Sequence, residues 1–327
     1  MTSRTFAFVL LAVLAVLLGA CGLLVFAVDP YFHYRAPRTG RFAYALDNQR
    51  GQNDGIVRHF SYRALVTGSS MTENFKASDV ERLWGLPTVK VPFAGASFRE
   101  LRRIVQTAGA ANRELELVIV GVDVNKLLMD RDWMRNDLGA FPDYLYDDNP
   151  FNDVKYLLNV GAITASVRGL FGPAGMRTTF DDYSRWHTEK TRYGAAAGLR
   201  RPDEPVQSAA QQPFTVDDDR RARDNAVANF APMAKCTRRL LLFFTPYSEL
   251  RMDCWRREGR YGRFMAAKRA FADEIRKIPN ARLFDFSDDR EIVDNPENYR
   301  DVDHYGPWVN TWIFERMKAA ETVNGER

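Results

Sequence analysis

Residues 6–28 contain no charge, no proline and no strongly polar side chain, and this one run limits every other assignment along the chain. As a helix rising ~1.5 Å per residue it reaches about 35 Å, enough to cross a hydrocarbon core of roughly 30 Å with some tilt. A secretory h-region is shorter, about 7 to 15 residues, so an uncleaved anchor over residues 1–28 is expected. Leu18-Gly19-Ala20-Cys21 offers a second reading, a lipoprotein box whose cysteine is lipidated after cleavage. Apolar residues continue from 22 to 28, however, where a mature lipoprotein turns polar. Both readings attach the chain to a membrane through residues 6–28. Orientation is a separate matter: Arg4 is the only basic side chain before the run, whereas Arg35, Arg38 and Arg41 follow it, and that count by itself disfavours export.

The remaining residues read as a globular chain. Hydrophobic residues make up 46% of the sequence and aromatic ones 13%, which is ample for a core. The 46 basic and 42 acidic residues leave a net charge of only +4 with no long run of one sign, so no nucleic-acid partner is expected. Cys236 and Cys254 are the only cysteines outside the anchor, and a disulfide or two free thiols both remain open. No CxxC or His/Cys ligand spacing occurs, which argues against a structural zinc site; a metal on Asp301, Asp303 and His304 would need further ligands that the sequence does not nominate, and neither a metal nor a cofactor is expected.

Residues 29–61 form a mixed aromatic and basic linker, expected to pack on the domain that begins at residue 62. Residues 62–67 read as a buried strand ending at Gly68, and residues 88–93 as a second, with Gly95 in the loop behind it. A short helical piece over 79–84 lies between them. Ser97 followed by Glu100 has capping-box spacing, predicting a helix over 98–110 that faces Leu101, Ile104 and Val105 inward. The apolar run 115–121 reads as a central parallel strand. From 127 to 236 the pattern weakens into an insertion, with a helix at about 153–160 and a polar span over 200–213. Residues 239–246 and 281–286 read as the last two strands, 261–278 as an amphipathic helix and 305–320 as the closing helix. Alternation of this kind implies an α/β domain over 62–327, a doubly wound parallel sheet covered on both faces. Ligands in such sheets bind beyond the carboxyl ends of the strands, where Ser70, Gly95 and Asp123 fall.

A serine hydroxyl becomes a nucleophile when an adjacent base takes its proton, and the base needs a carboxylate to fix its tautomer. Gly68-Ser69-Ser70 places a small turn directly after a strand, and Asp301-Val302-Asp303-His304 supplies acid and base on one late loop. Asp303 competes with Asp301 for the acid role. His33, His59 and His187 read as structural histidines. Tyr183, Trp186, Trp255 and Trp308 are candidates for stacking on sugars, with ordinary packing the favoured reading.

The segment Val66-Thr67-Gly68-Ser69-Ser70 resembles the first motif block of the SGNH/GDSL hydrolase superfamily, and Asp301 to His304 resembles its DxxH block. The longer string Gly68 to Phe75, with Pro142-Asp143-Tyr144-Leu145-Tyr146, is similar to bacterial envelope proteins labelled SGNH/GDSL-like. The resemblance spans residues 62–320 through short blocks only. It implies a flavodoxin-like three-layer fold, Ser70 as nucleophile, His304 as base and Asp301 as carboxylate. It further implies an oxyanion hole from the Ser70 amide, Gly95 and an asparagine, here Asn125. That asparagine stands later than the family pattern has it, and Asp123 occupies a place from which it would repel an oxyanion. The branch it most resembles contains membrane-tethered proteins of D-alanyl transfer to lipoteichoic acid and of alginate O-acetylation. That implies a single-pass bacterial membrane protein with its domain outside the cytoplasm, acting as an esterase or O-acyltransferase on an envelope or exported polysaccharide. A polysaccharide and a membrane-bound acyltransferase are the partners implied. The altered third block leaves a second reading, an inactive module that binds glycan or scaffolds such an acyltransferase.

Overall fold

Five short runs rich in Val, Ile, Leu and Phe form one all-parallel sheet: β1 Ala64–Thr67, β2 Thr88–Lys90, β3 Leu117–Val122, β4 Arg239–Phe244 and β5 Ala281–Asp285. Their spatial order is 2-1-3-4-5, the order of flavodoxin-like doubly wound sheets. The structure, a computed structural model, describes residues 2–135, 137, 140–200 and 209–325. Part of the polar span expected over 200–213, residues 201–208, therefore lies outside the described residues. The chain forms two compact units, Met1–Phe60 with Gly139–Thr179, and Ser61–Leu138 with Phe180–Arg327.

The second unit holds the sheet. Every residue of β3 is buried, which is why its sequence is continuously apolar instead of alternating. Successive strand residues point to opposite faces, and the adjacent pair Phe243 and Phe244 makes the layering visible. Phe243 meets Phe75 at 5.5 Å between ring centroids, and Phe75 meets Phe314 of the helix Pro307–Gly325 at 4.4 Å. Phe244 turns the other way, to Phe271 of the helix Tyr261–Ile275 at 5.8 Å; Phe271 touches Phe230, which touches Phe98 of the helix Phe98–Ala111. Helices thus cover both faces. Helix Phe98–Ala111 begins with the expected capping box: Ser97 Oγ accepts from the Glu100 amide and the Glu100 carboxylate accepts from the Ser97 amide. Helices Val216–Asn225 and Glu249–Arg257 lie where no helix is predicted from sequence. Cys236 and Cys254 are free thiols.

The first unit contains the helix Ser3–Val28, long and apolar enough to cross a membrane, with a mean hydropathy of 3.0 over its best window. Residues expected as a linker contain the helix Gln49–His59, and Ala43–Tyr44 pairs in parallel with Gly175–Met176. Asp29 ends the long helix in a left-handed conformation, φ 54°. Its buried carboxylate accepts from the His33, Tyr34 and Arg35 amides and the Tyr156 hydroxyl at 2.8–3.0 Å. Burial nevertheless outweighs these bonds and pushes the Asp29 carboxyl above its usual range. The helix predicted over 153–160 is instead one turn, Val154–Leu157, followed by a separate helix Val160–Phe171. Asn159 makes the break, because its side chain accepts from the Ala162 amide at 3.0 Å and starts a new helix there.

Candidate active site

The chain turns sharply after β1. Gly68 has φ 153°, and a Cβ there would stand 2.5 Å from Thr72 Cγ2, so only glycine fits. Ser69 then caps a 3-10 turn, Ser70–Thr72, which lifts Ser70 off the sheet's carboxyl edge half-exposed. Among the described residues, no acceptor takes the Ser70 amide hydrogen.

Ser70 Oγ lies 2.9 Å from His304 Nε2. His304 Nδ1 lies 2.9 and 3.0 Å from the two Asp301 carboxylate oxygens. Because Nδ1 faces a carboxylate it carries the ring proton, which leaves Nε2 as the acceptor for the serine hydroxyl. Asp301 Oδ1 also accepts from the Asp303 and His304 amides, both at 2.9 Å, so the DxxH spacing is a local turn that aims its own acid at its own base. Asp303 faces away, held at 2.5 Å by both ends of the Arg251 guanidinium. Of the two carboxylates left open by the sequence, the fold brings Asp301 to the imidazole. Burial raises the Asp301 carboxyl, but the His304 bond and the two amides outweigh it and hold it at about 2. Burial likewise lowers His304, but the Asp301 bond and charge carry it above the ordinary histidine value.

Asp123, at the end of β3, does not stand as a free anion. It is buried, accepts from Ser69 Oγ at 3.0 Å and pairs with Lys126 Nζ at 2.7 Å. Lys126 in turn donates to the Ala96 carbonyl at 2.7 Å. Two hydrogen bonds therefore tie the loops behind β1, β2 and β3 together, and those loops carry Ser70, Gly95 and Asn125. Gly95 has φ 63°, and the Arg135 guanidinium lies where a Cβ would point. Asn125 is half-buried with its carbonyl oxygen 3.3 Å from the Tyr247 hydroxyl, which leaves its amide hydrogens for another acceptor.

Three further side chains border the site: Trp186, one of the four stacking candidates, and Arg135 and Arg300, which sequence reasoning misses. The Trp186 ring lies edge-on to His304 at 5.8 Å, with its Nε1 donating to the Ser70 carbonyl at 3.4 Å. Arg300 covers the other side of Trp186 at 4.9 Å, and Arg135 covers Gly95. Of the other sugar-stacking candidates, Tyr183 and Trp255 are core residues, and Trp308 is exposed beside Tyr193 at 4.7 Å. No signal in the sequence separates Trp186 from them. His187 bonds Tyr193, and His33 pairs with Asp153. Among the described residues no cluster of three or more His, Cys, Asp or Glu side chains is arranged to hold a metal. No family model matches the sequence, and no curated protein is significantly similar to it.

Proposed function

We propose that this chain is an SGNH-like serine O-acyl esterase or acyltransferase, tethered to a bacterial cell membrane with its domain outside the cytoplasm, acting on an envelope or exported polysaccharide. The observation that carries the reading is the continuous chain from Ser70 Oγ through His304 to Asp301, every link 2.9–3.0 Å. In the reaction, His304 Nε2 takes the Ser70 proton as Oγ bonds the ester carbonyl carbon. The resulting imidazolium, stabilised by Asp301, returns the proton to the leaving sugar oxygen as the acyl C–O bond breaks. A second hydroxyl, from water or an acceptor sugar, repeats the sequence and frees Ser70. Hydrolysis and transfer differ only in that second hydroxyl. The Ser70 amide, Gly95 and Asn125 are the proposed oxyanion donors, and the pairing of Asp123 with Lys126 removes the repulsion that an unpaired carboxylate would cause there. Trp186 and Arg300 at the rim suit a sugar face and a polar substituent.

A fluorophosphonate probe should label the membrane-reconstituted protein, and Ser70→Ala should abolish that labelling. Wild-type protein that resists the probe as fully as Ser70→Ala does would favour the inactive glycan-binding module instead.

A further inference from the structure

We propose that the segment around the helix Val160–Phe171 is a second membrane contact, lying in the headgroup boundary of the same bilayer that the helix Ser3–Val28 crosses. Among the described residues outside that long helix, exposed large hydrophobic side chains occur singly at Met129, Val216, Val227 and Trp308, but seven fall in the stretch of sequence between 151 and 176. Phe151 is 91% exposed, Phe171 83% and Val160 77%, and Val154, Val167, Leu170 and Met176 are exposed as well. Such a concentration of apolar surface on one short segment marks an interface. Thr164, exposed on the same helix, returns its hydroxyl to the Val160 carbonyl at 2.8 Å, so that hydroxyl is already satisfied.

Helix length identifies the occupant. Residues 3–20 are all exposed, and the half-covered stretch begins at Cys21 and Gly22, with Val25 and Val28 fully buried. Of these, residues 6–20 are the uncharged apolar ones, and fifteen at ~1.5 Å each span about 22 Å, short of a hydrocarbon core of about 30 Å. The core must therefore extend past Gly22, to about Val25, and a Cβ on Gly22 would touch Leu157 Cβ at 3.8 Å. A Cβ on Gly169 would likewise meet Val28 at 3.0 Å, so the short helix flanks the long one where it leaves the hydrocarbon. Charge agrees with this depth. From 151 to 179 the only acid is the buried Asp153, whereas Lys155, Arg168 and Arg177 are exposed and long enough to reach phosphates while their stems stay in apolar surroundings. Elsewhere in the same unit Arg38 and Arg41 add exposed positive charge, while Asp143 and Asp148 are exposed acids ahead of Phe151. The occupant is thus an anionic lipid surface.

The inference rests on Ser3–Val28 lying in a bilayer and is independent of the chemistry at Ser70. The test is a depth measurement by spin labels on single cysteines, Val13→Cys, Val160→Cys, Phe171→Cys and the control Asp217→Cys. The full chain, with its native cysteines replaced by serine, is reconstituted in phosphatidylcholine/phosphatidylglycerol nanodiscs. Oxygen accessibility should exceed that of aqueous nickel-EDDA at Val13, Val160 and Phe171 and fall below it at Asp217. Nickel-EDDA dominance at Val160 and Phe171, with Val13 still in lipid, would overturn the proposal, and so would spin–spin broadening at Phe171, which would mean a second copy covers the face. Nickel-EDDA dominance at Val13 would remove its premise.

Discussion

Asp301→Asn separates what the Asp301 turn holds in place from what it does electronically. Asn keeps one side-chain oxygen able to accept from the Asp303 and His304 amides, now both at 2.9 Å, so the turn should survive. The amide nitrogen then takes the place of Oδ2, which now lies 2.9 Å from His304 Nδ1. That nitrogen donates to Nδ1 in competition with the Nδ1–H bond to the retained Oδ1, now at 3.0 Å; to the extent that the amide wins, the ring proton moves to Nε2 and Ser70 Oγ faces a donor. The wrong tautomer in a triad costs up to about ten-thousandfold in kcat. The Asp301 side chain is 43% exposed, so water competes for the imidazole and the lower end applies, about a thousandfold or ~4 kcal/mol of barrier. The assay is acetyl-ester hydrolysis and fluorophosphonate labelling by the reconstituted protein, read beside Ser70→Ala, Asp303→Asn and a thermal melt. The expected pattern is a near-native melt with loss of activity in Asp301→Asn and a much smaller loss in Asp303→Asn. Activity of Asp301→Asn within tenfold of wild type, or the reverse ranking of the two aspartates, would refute the assignment.

In the proposed role of base His304 must be neutral to act, and it is held above the ordinary histidine value, so the acidic limb of kcat/KM should fall above pH 6.5 and move down in Asp301→Asn; a pH–rate profile checks both. The same shift means that the His304–Asp301 attraction stabilises the fold fully below the unfolded histidine pKa and is lost as pH rises through the folded one. The depressed Asp301 contribution is lost only as pH falls from about 4 toward 2. Lys126→Met leaves the buried Asp123 carboxylate without its cation and should cost about 3–5 kcal/mol, a fall in melting temperature of roughly 6–20 °C that Asp123→Asn in the same chain partly restores.

Much of the fold is legible from local pattern. The apolar run of β3 names itself as a central strand because both of its faces are covered, and Ser97 with Glu100 marks a helix start within one residue of its observed place. Where the reading fails, a local competitor wins: Asn159 caps a new helix inside what periodicity joins into one, and Thr215 with Asp218 builds a second capping box ahead of Val216–Asn225. At the site, Asp301 and His304 share a turn and are readable from three-residue spacing. Trp186 carries no such mark, because its partners Ser70 and His304 lie 116 and 118 positions away.

The anchor-length apolar helix, the alternation of strands and helices, and the residue types able to activate a hydroxyl are readable from the chain alone, since each is a property of neighbouring side chains. Which aspartate meets the imidazole, and the pairing of Asp123 with Lys126 while it holds Ser69, come from the three-dimensional packing. It also decided that Ser70 and His304, 234 residues apart, come within hydrogen-bond reach. Those outcomes depend on strand order and register, through which parallel pairing sets distant loops side by side at one edge of the sheet.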